Sequence, residues 1–312
     1  MHSSGSERLQ RWVADLSAGH PFGCMVIAGG RTLAEWYGND FAAGDIFEIG
    51  SIRKTFNSAL VGYLVGAQSI DLHMSAAQIC PEIVSISGDE TDRAITLHQL
   101  MTGTSGWLTS DRPGEVYRYN NAACTMAERV VGRFLKCRGD EIAGEVARLF
   151  KQPLRTSWRL YHFPHDFVPA DFHEAGPKLA VDSTLRDLVR WGQLWLNQGN
   201  WEGRWFFPAS YTRLATSKVN PGIAGAYYGY NWFINPGGAL WPQAPDDSFG
   251  HSGWGLFRPS GDDCRIYLWV CPSLAAVAAV AFDARTGFAN DAVEVPNTLT
   301  AEWIAQVVNL VA

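Results

Sequence analysis

The chain has 312 residues, enough for a large core in one or two domains. With 47% hydrophobic and 18% charged residues it has the composition of a soluble globule, and a net charge of −6 without any basic run excludes an electrostatic footprint for nucleic acid. No apolar run reaches the ~18 residues of a membrane-spanning helix, and the polar start Met1–Gly5 lacks the apolar core of a signal peptide.

In chain order, Ser6–Leu16 reads as a short amphipathic helix. Phe22–Ala28 and Arg31–Tyr37 read as a hairpin turning on Gly29-Gly30. An apolar helix follows over Ser51–Leu64. Helical patterns then cover Met126–Lys136, Glu141–Lys151 and Ser183–Asn197, the last closed by the glycine-bearing run Asn197–Asn200. Leu160–Pro177 is rich in Pro, Phe, His and Asp without periodicity and reads as a long loop near the functional groove. Strand character returns in the aromatic Tyr227–Ile234 and the glycine-bordered stretch around His251. Arg265–Val270 and Ala275–Phe282 form a hairpin about Pro272-Ser273. Asn297–Val311 closes the chain as a helix capped by Asn297 or Thr300. Strands at both ends of a helical middle imply one sheet assembled from both termini.

Six cysteines, at 24, 80, 124, 137, 264 and 271, contain no Cys-x-x-Cys and fit neither a disulfide framework nor a zinc site. They are read as reduced thiols of a cytoplasmic protein; a periplasmic location is the alternative if a leader has been removed. The thirteen tryptophans are read chiefly as core.

Ser51-Ile52-Arg53-Lys54 carries the chemistry. A serine and a lysine three residues apart share one helix face. The lysine can relay the serine proton, and the helix N-terminus favours negative charge developing there. Read in isolation, Ser51 is a helix cap and Arg53 an exposed helix cation. Two further elements follow: Tyr119-Asn120-Asn121, a Tyr-x-Asn, and His251-Ser252-Gly253 within Phe249–Gly255. Tyr37-Gly38-Asn39 also matches the second pattern but precedes the serine and is set aside.

This order of Ser-x-x-Lys, Tyr-x-Asn and [Lys/His]-[Ser/Thr]-Gly resembles the penicillin-recognising serine hydrolases, which comprise serine β-lactamases, DD-peptidases and esterase relatives. The tyrosine of the second element points to the class C β-lactamase and esterase branch. Ile95–Gly106 and Asp182–Gly192 resemble connecting segments of the same family, so the likeness runs from about Pro21 to Phe282. Pro153-Leu154 departs from it, with Arg155 where the family writes glycine.

The resemblance implies an α/β (α+β) fold: an antiparallel sheet flanked by helices, with an inserted mainly helical domain. Residues 1–50 with 215–312 would form the sheet-containing domain and 51–214 the helical one, with the active site between them. It implies Ser51 as nucleophile, Lys54 as base or electrostatic partner, and Tyr119 as carrier of the serine proton. A free phenol, at a pKa of ~10, needs Lys54 beside it to do this near neutrality. Asn121 would bind Lys54 or the acyl side chain, Tyr117 would pack, and His251, Ser252, Gly253 and Trp254 would bind substrate. The backbone N–H groups of Ser51 and Trp254 would form the oxyanion hole, Gly253 and Gly255 permitting close approach. The Trp254 indole would wall the acyl pocket, Trp107 being a second candidate.

His251 stands where most β-lactamases and peptidases of the family carry lysine. A mostly neutral imidazole supplies no fixed charge for a substrate carboxylate, which favours neutral esters or amides. The expected function is a cofactor-free, metal-independent serine hydrolase of a small-molecule ester or amide, esterase-like, with weak β-lactamase activity in range. D-amino-acid peptidase, amidase or linear amide-oligomer hydrolase activity, and a catalytically silent binding protein on the same fold, are the alternatives. No nucleic acid or membrane partner is expected. An α/β-hydrolase is excluded by the lack of Gly-x-Ser-x-Gly. A metal site at His162, His165, Asp166, Asp171, His173 and Glu174 is disfavoured by its spacing.

Overall fold

The computed structural model describes residues 4–137, 141–163, 178–288 and 298–312. Helix α1 (Gly5–Ser17) opens in a capping box between Ser4 and Glu7. Strands β1 (Phe22–Ala28) and β2 (Arg31–Gly38) turn on Gly29 and Gly30, both at positive φ. A short β3 (Phe47–Glu48) leads into a 3-10 turn, Gly50–Arg53, and then α2 (Lys54–Gly66). The apolar helix thus begins at Lys54; Ser51 sits in the tighter turn before it.

The middle of the chain is mainly helical: α3 (Glu82–Ser87), α4 (Leu97–Thr102), α5 (Asn121–Phe134), α6 (Ile142–Val146) and, past a wider turn at 147–151, α7 (Gln152–Leu154). Strand β5 (Lys178–Ser183) pairs with β3 on one side and with β4 (Arg159–Phe163) on the other in a three-stranded sheet. The expected loop from Leu160 is therefore strand as far as Phe163; 164–177, with five of the six disfavoured metal candidates, lies outside the described residues. Then come α8 (Leu185–Leu196), the small hairpin β6 (Asn200–Trp201) and β7 (Arg204–Trp205), and α9 (Ala209–Ala215). Of the expected strand Tyr227–Ile234 only β8 (Phe233–Ile234) is regular, because Asn231 sits in the left-handed region at φ 60° and bends the segment. Strands β9 (Phe249–Leu256), β10 (Asp263–Cys271) and β11 (Ala276–Asp283) and helix α10 (Thr298–Val311) complete the chain.

The main sheet is antiparallel in the order β2-β1-β11-β10-β9-β8, so strands from both ends of the chain meet at the β1–β11 pair. Its central strand β11 is buried along its whole length. Val277, Ala279 and Ala281 face the core shared with α2 and α8; Ala278, Val280 and Phe282 face the core closed by α1 and α10 through Leu9, Trp303 and Val307. Alternation along each strand thus feeds two apolar layers. Helix α2 is buried on nearly every side, as its unbroken apolar run requires. Phe56 stacks on Trp191 of α8 at 4.1 Å, and the Trp191 indole N–H donates to Thr55 Oγ1 at 2.8 Å. These contacts hold the helix that follows Ser51 against α8. Among the described residues no helix is long and apolar enough to cross a membrane.

Candidate active site

Three chain segments converge on Ser51. Lys54, the first residue of α2, donates from Nζ to Ser51 Oγ in the preceding turn at 2.8 Å, and is almost fully buried. The second segment enters α5. Asn120 caps that helix, its side chain accepting from Ala123 N, so Tyr119 stands just before the helix and Asn121 at its first residue. Lys54 Nζ lies 4.8 Å from the centre of the Tyr119 ring. The Tyr119 hydroxyl is buried and meets no hydrogen-bond partner; Ser51 is near it but short of hydrogen-bond geometry. Burial drives this phenol well above the ordinary value and Cys124 adds to that, while the Ser51 hydroxyl and the Arg53 charge pull it back. Asn121 Oδ1 is likewise buried without a partner, so it is not bonded to Lys54.

The third segment is β9, and three glycines let it touch the turn that carries Ser51. A Cβ on Gly253 would lie 2.0 Å from the Ile49 carbonyl oxygen, and one on Gly255 would lie 1.8 Å from that of Glu48. Gly50, at φ +52°, would place a Cβ 2.5 Å from Trp254 N. Backbones this close bring the peptide entering Ser51 against that of Trp254, where the two expected oxyanion donors belong.

His251 is fully buried, its Nδ1 2.6 Å from the Ser252 carbonyl oxygen and its Nε2 3.0 Å from Tyr228 Oη. A carbonyl only accepts, so Nδ1 carries the proton; Tyr228 then donates to Nε2. Burial first, then the Lys54 charge, pushes the His251 pKa down to about 3, so the ring is neutral. Ser252, next along β9, is partly buried. The Trp254 side chain is 61% exposed and lies under the Arg265 guanidinium, 3.9 Å from Cζ to ring centre. Trp107 is a core residue, fully buried, with its indole N–H donating to the Ile83 carbonyl. Tyr37-Gly38-Asn39 sits on the far hairpin, where Asn39 donates to the His20 carbonyl.

Arg53 is not the exposed cation of the sequence reading. It is 5% exposed and its Nη1 meets Glu128 Oε2 at 2.9 Å, while Glu128 Oε1 accepts from Leu179 N. The pair links the Ser51 turn, α5 and β5. Asn231 also went unnoticed: fully buried, it donates to the Lys54 carbonyl at 3.0 Å. The one available signal was an Asn beside aromatic and glycine residues, which tolerates the left-handed conformation. An open groove of about 590 Å³ lined by Tyr63, Trp205 and Phe207 lies at the other end of α2, about 18 Å along the helix from Lys54, and takes no part in this geometry.

The chain matches the family model described as Beta-lactamase over residues 9–299. It is similar in structure to the D-alanine carboxypeptidase AmpC from Burkholderia cenocepacia (TM-score 0.67, 15% identity, 97% of each chain covered). It is similar to the octameric penicillin-binding protein homologue from Pyrococcus abyssi (TM-score 0.68, 16% identity, 96% of this chain and 75% of that one). It is also similar to a D-stereospecific amidohydrolase from Streptomyces sp. (TM-score 0.66, 16% identity, 89% of this chain and 94% of that one). A search of curated proteins finds no match.

Proposed function

Because the chain belongs to the beta-lactamase family of serine hydrolases, we propose that it cleaves a small, uncharged ester or amide through an acyl-enzyme on Ser51. The observation that carries this reading is the Lys54–Ser51 hydrogen bond of 2.8 Å with the Tyr119 ring alongside Lys54. Lys54 and Tyr119 take the Ser51 proton as Oγ attacks the carbonyl carbon, reacting from the form of the pair that has given up one proton, although burial holds the Tyr119 phenol protonated at rest. The carbonyl oxygen gains the negative charge and is met by the N–H groups of Ser51 and Trp254. The proton then passes to the leaving oxygen or nitrogen as its bond to the acyl carbon breaks. Water repeats the sequence to release the acid and restore Ser51. Asn121, with an unpartnered buried oxygen, is the polar group for the substrate acyl side chain.

The neutral, engaged His251 supports an uncharged substrate, since it offers no cation to a carboxylate. This favours esters over β-lactams, and the lesser need of an ester leaving group for protonation favours esters over amides. Six free thiols, five of them buried, support a cytoplasmic location. A panel of p-nitrophenyl esters, nitrocefin and D-alanyl amides, run with wild type and Ser51→Ala, tests the reading. Ester turnover that vanishes in the variant and exceeds nitrocefin turnover is expected. Nitrocefin as the preferred substrate, or ester turnover that survives in Ser51→Ala, would contradict it.

A further inference from the structure

The hydroxyl of Tyr119 has Ser51 near it but no partner in full hydrogen-bond geometry among the described residues, so the rings around it carry much of its placing. Three of them stand out. Phe233 stacks on it at 6.1 Å, Tyr228 meets it edge-on at 5.8 Å, and His251 lies 6.2 Å away. Two of these rings are tied together by the Tyr228–His251 hydrogen bond of 3.0 Å, and His251 is anchored in turn to the Ser252 carbonyl of β9. Tyr228 is itself 1% exposed and packs against Phe233 at 4.9 Å. The result is a closed ring of contacts in which one polar bond fixes the only side of the Tyr119 cage that β9 supplies.

We propose that Tyr228 is a positioning residue for acyl transfer: the Ser252 carbonyl sets His251 as the Nδ1–H tautomer, the Tyr228 hydroxyl pins the ring through Nε2, and the pinned pair holds the Tyr119 ring beside Lys54. This rests on the hydrolase reading above and gives His251 a role other than charge recognition. Lys54 and Arg53 face the pair from the turn at Ser51, and Tyr117, Tyr119 and Cys124 face it from the start of α5 and the segment before it. Without the Tyr228 proton the Nε2 lone pair has no donor, and the imidazole, held at Nδ1 alone, is free to tilt about its Ser252 contact. A shift of about 1 Å in a reacting group costs on the order of a hundredfold in rate.

The test compares Tyr228→Phe, His251→Gln and His251→Leu with wild type on a neutral p-nitrophenyl ester, with thermal unfolding to confirm folding and imidazole nitrogen NMR to read the tautomer. Tyr228→Phe keeps the ring and should lose roughly tenfold to a hundredfold in kcat with KM within about twofold of wild type. Wild type should show His251 as a neutral Nδ1–H ring at pH ~7, and Tyr228→Phe the same tautomer with its Nε2 signal moved by the loss of the donated hydrogen bond. His251→Gln, whose oxygen still accepts from Tyr228, should retain more kcat than His251→Leu. Wild-type kcat in Tyr228→Phe, an Nε2–H ring in wild type, or equal losses in both His251 variants would overturn this role. An inert wild-type protein would overturn the hydrolase reading and this role with it, whereas an active wild type with an unaffected Tyr228→Phe overturns this role alone.

Discussion

Arg53 and Glu128 form a buried ion pair, 2.9 Å from Nη1 to Oε2, that ties the turn bearing Ser51 to helix α5, at whose head Tyr119 and Asn121 stand. Breaking such a pair strands a charge in the interior. Glu128→Ala should cost about 3–5 kcal/mol, read as a lower urea midpoint. Replacing both partners by apolar residues of similar size should recover most of that stability while kcat stays low, because the link between the two catalytic segments is gone. A loss below about 1 kcal/mol in Glu128→Ala would mean that the pair carries little.

Lys54 and Tyr119 share one proton in the proposed scheme. Lys54→Ala and Tyr119→Phe should each reduce kcat by several orders of magnitude, and the double variant should be scarcely worse than either single one. Single-turnover rates with one p-nitrophenyl ester suffice to close the cycle. Mild losses that multiply in the double variant would contradict the shared proton.

The glycines of β9 set the distance between that strand and the Ser51 turn. Gly253→Ala and Gly255→Ala would press a methyl group against the Ile49 and Glu48 carbonyl oxygens, at 2.0 and 1.8 Å before relaxation. Backbone must move, so kcat should fall at least about tenfold in each. Gly222→Ala, with open space around its Cβ, serves as the control and should leave kcat unchanged. Full activity in Gly253→Ala would contradict the proposed oxyanion geometry.

His251 links stability to pH. Its pKa is about 3 in the folded protein, and near ~6.5 in an unfolded chain. Between those values the unfolded state holds the proton and the folded state does not. Stability from this group is therefore complete above about pH 6.5 and lost as pH falls toward 3, by at most about 1.4 kcal/mol per pH unit. Urea unfolding across this window should show a shallower pH slope in His251→Gln than in wild type; equal slopes would count against a buried neutral ring. The ratio of kcat/KM for a carboxylate-bearing ester over its neutral analogue should also stay flat from pH ~8 to ~5. A several-fold rise on acidification would show His251 charging in the working range.

Local patterns made much of the fold legible. The hairpin β1–β2 announced itself by its glycine turn, and α8 by its periodicity and the glycine-bearing run after it. Beyond those patterns the reading faltered. Helix α5 begins at Asn121 and not near Met126, because its first turn is Ala122, Ala123 and Cys124, small residues with little periodicity behind an Asn120 cap. The Tyr227–Ile234 segment has strand composition, yet its polar and aromatic side chains are spent on Tyr228–His251, Tyr230–His98 and Asn231–Lys54 contacts that bend it. Arg53 looked like a solvated helix residue since its partner stands 75 residues further on. Ser51 and Lys54 were the easiest to find, their meeting being a matter of three residues of spacing. Tyr119 and His251 were found by family resemblance, and no local rule foretold the rings that enclose them.

The central claim is that the Ser51 hydroxyl is a nucleophile, and covalent capture measures that most directly. The protein is incubated with a fluorophosphonate probe and analysed by intact mass and peptide mapping. The account predicts a single adduct on the peptide carrying Ser51, absent from folded Ser51→Ala and much slower to form in Lys54→Ala. An unlabelled wild-type protein, or an adduct that persists in Ser51→Ala, would contradict it.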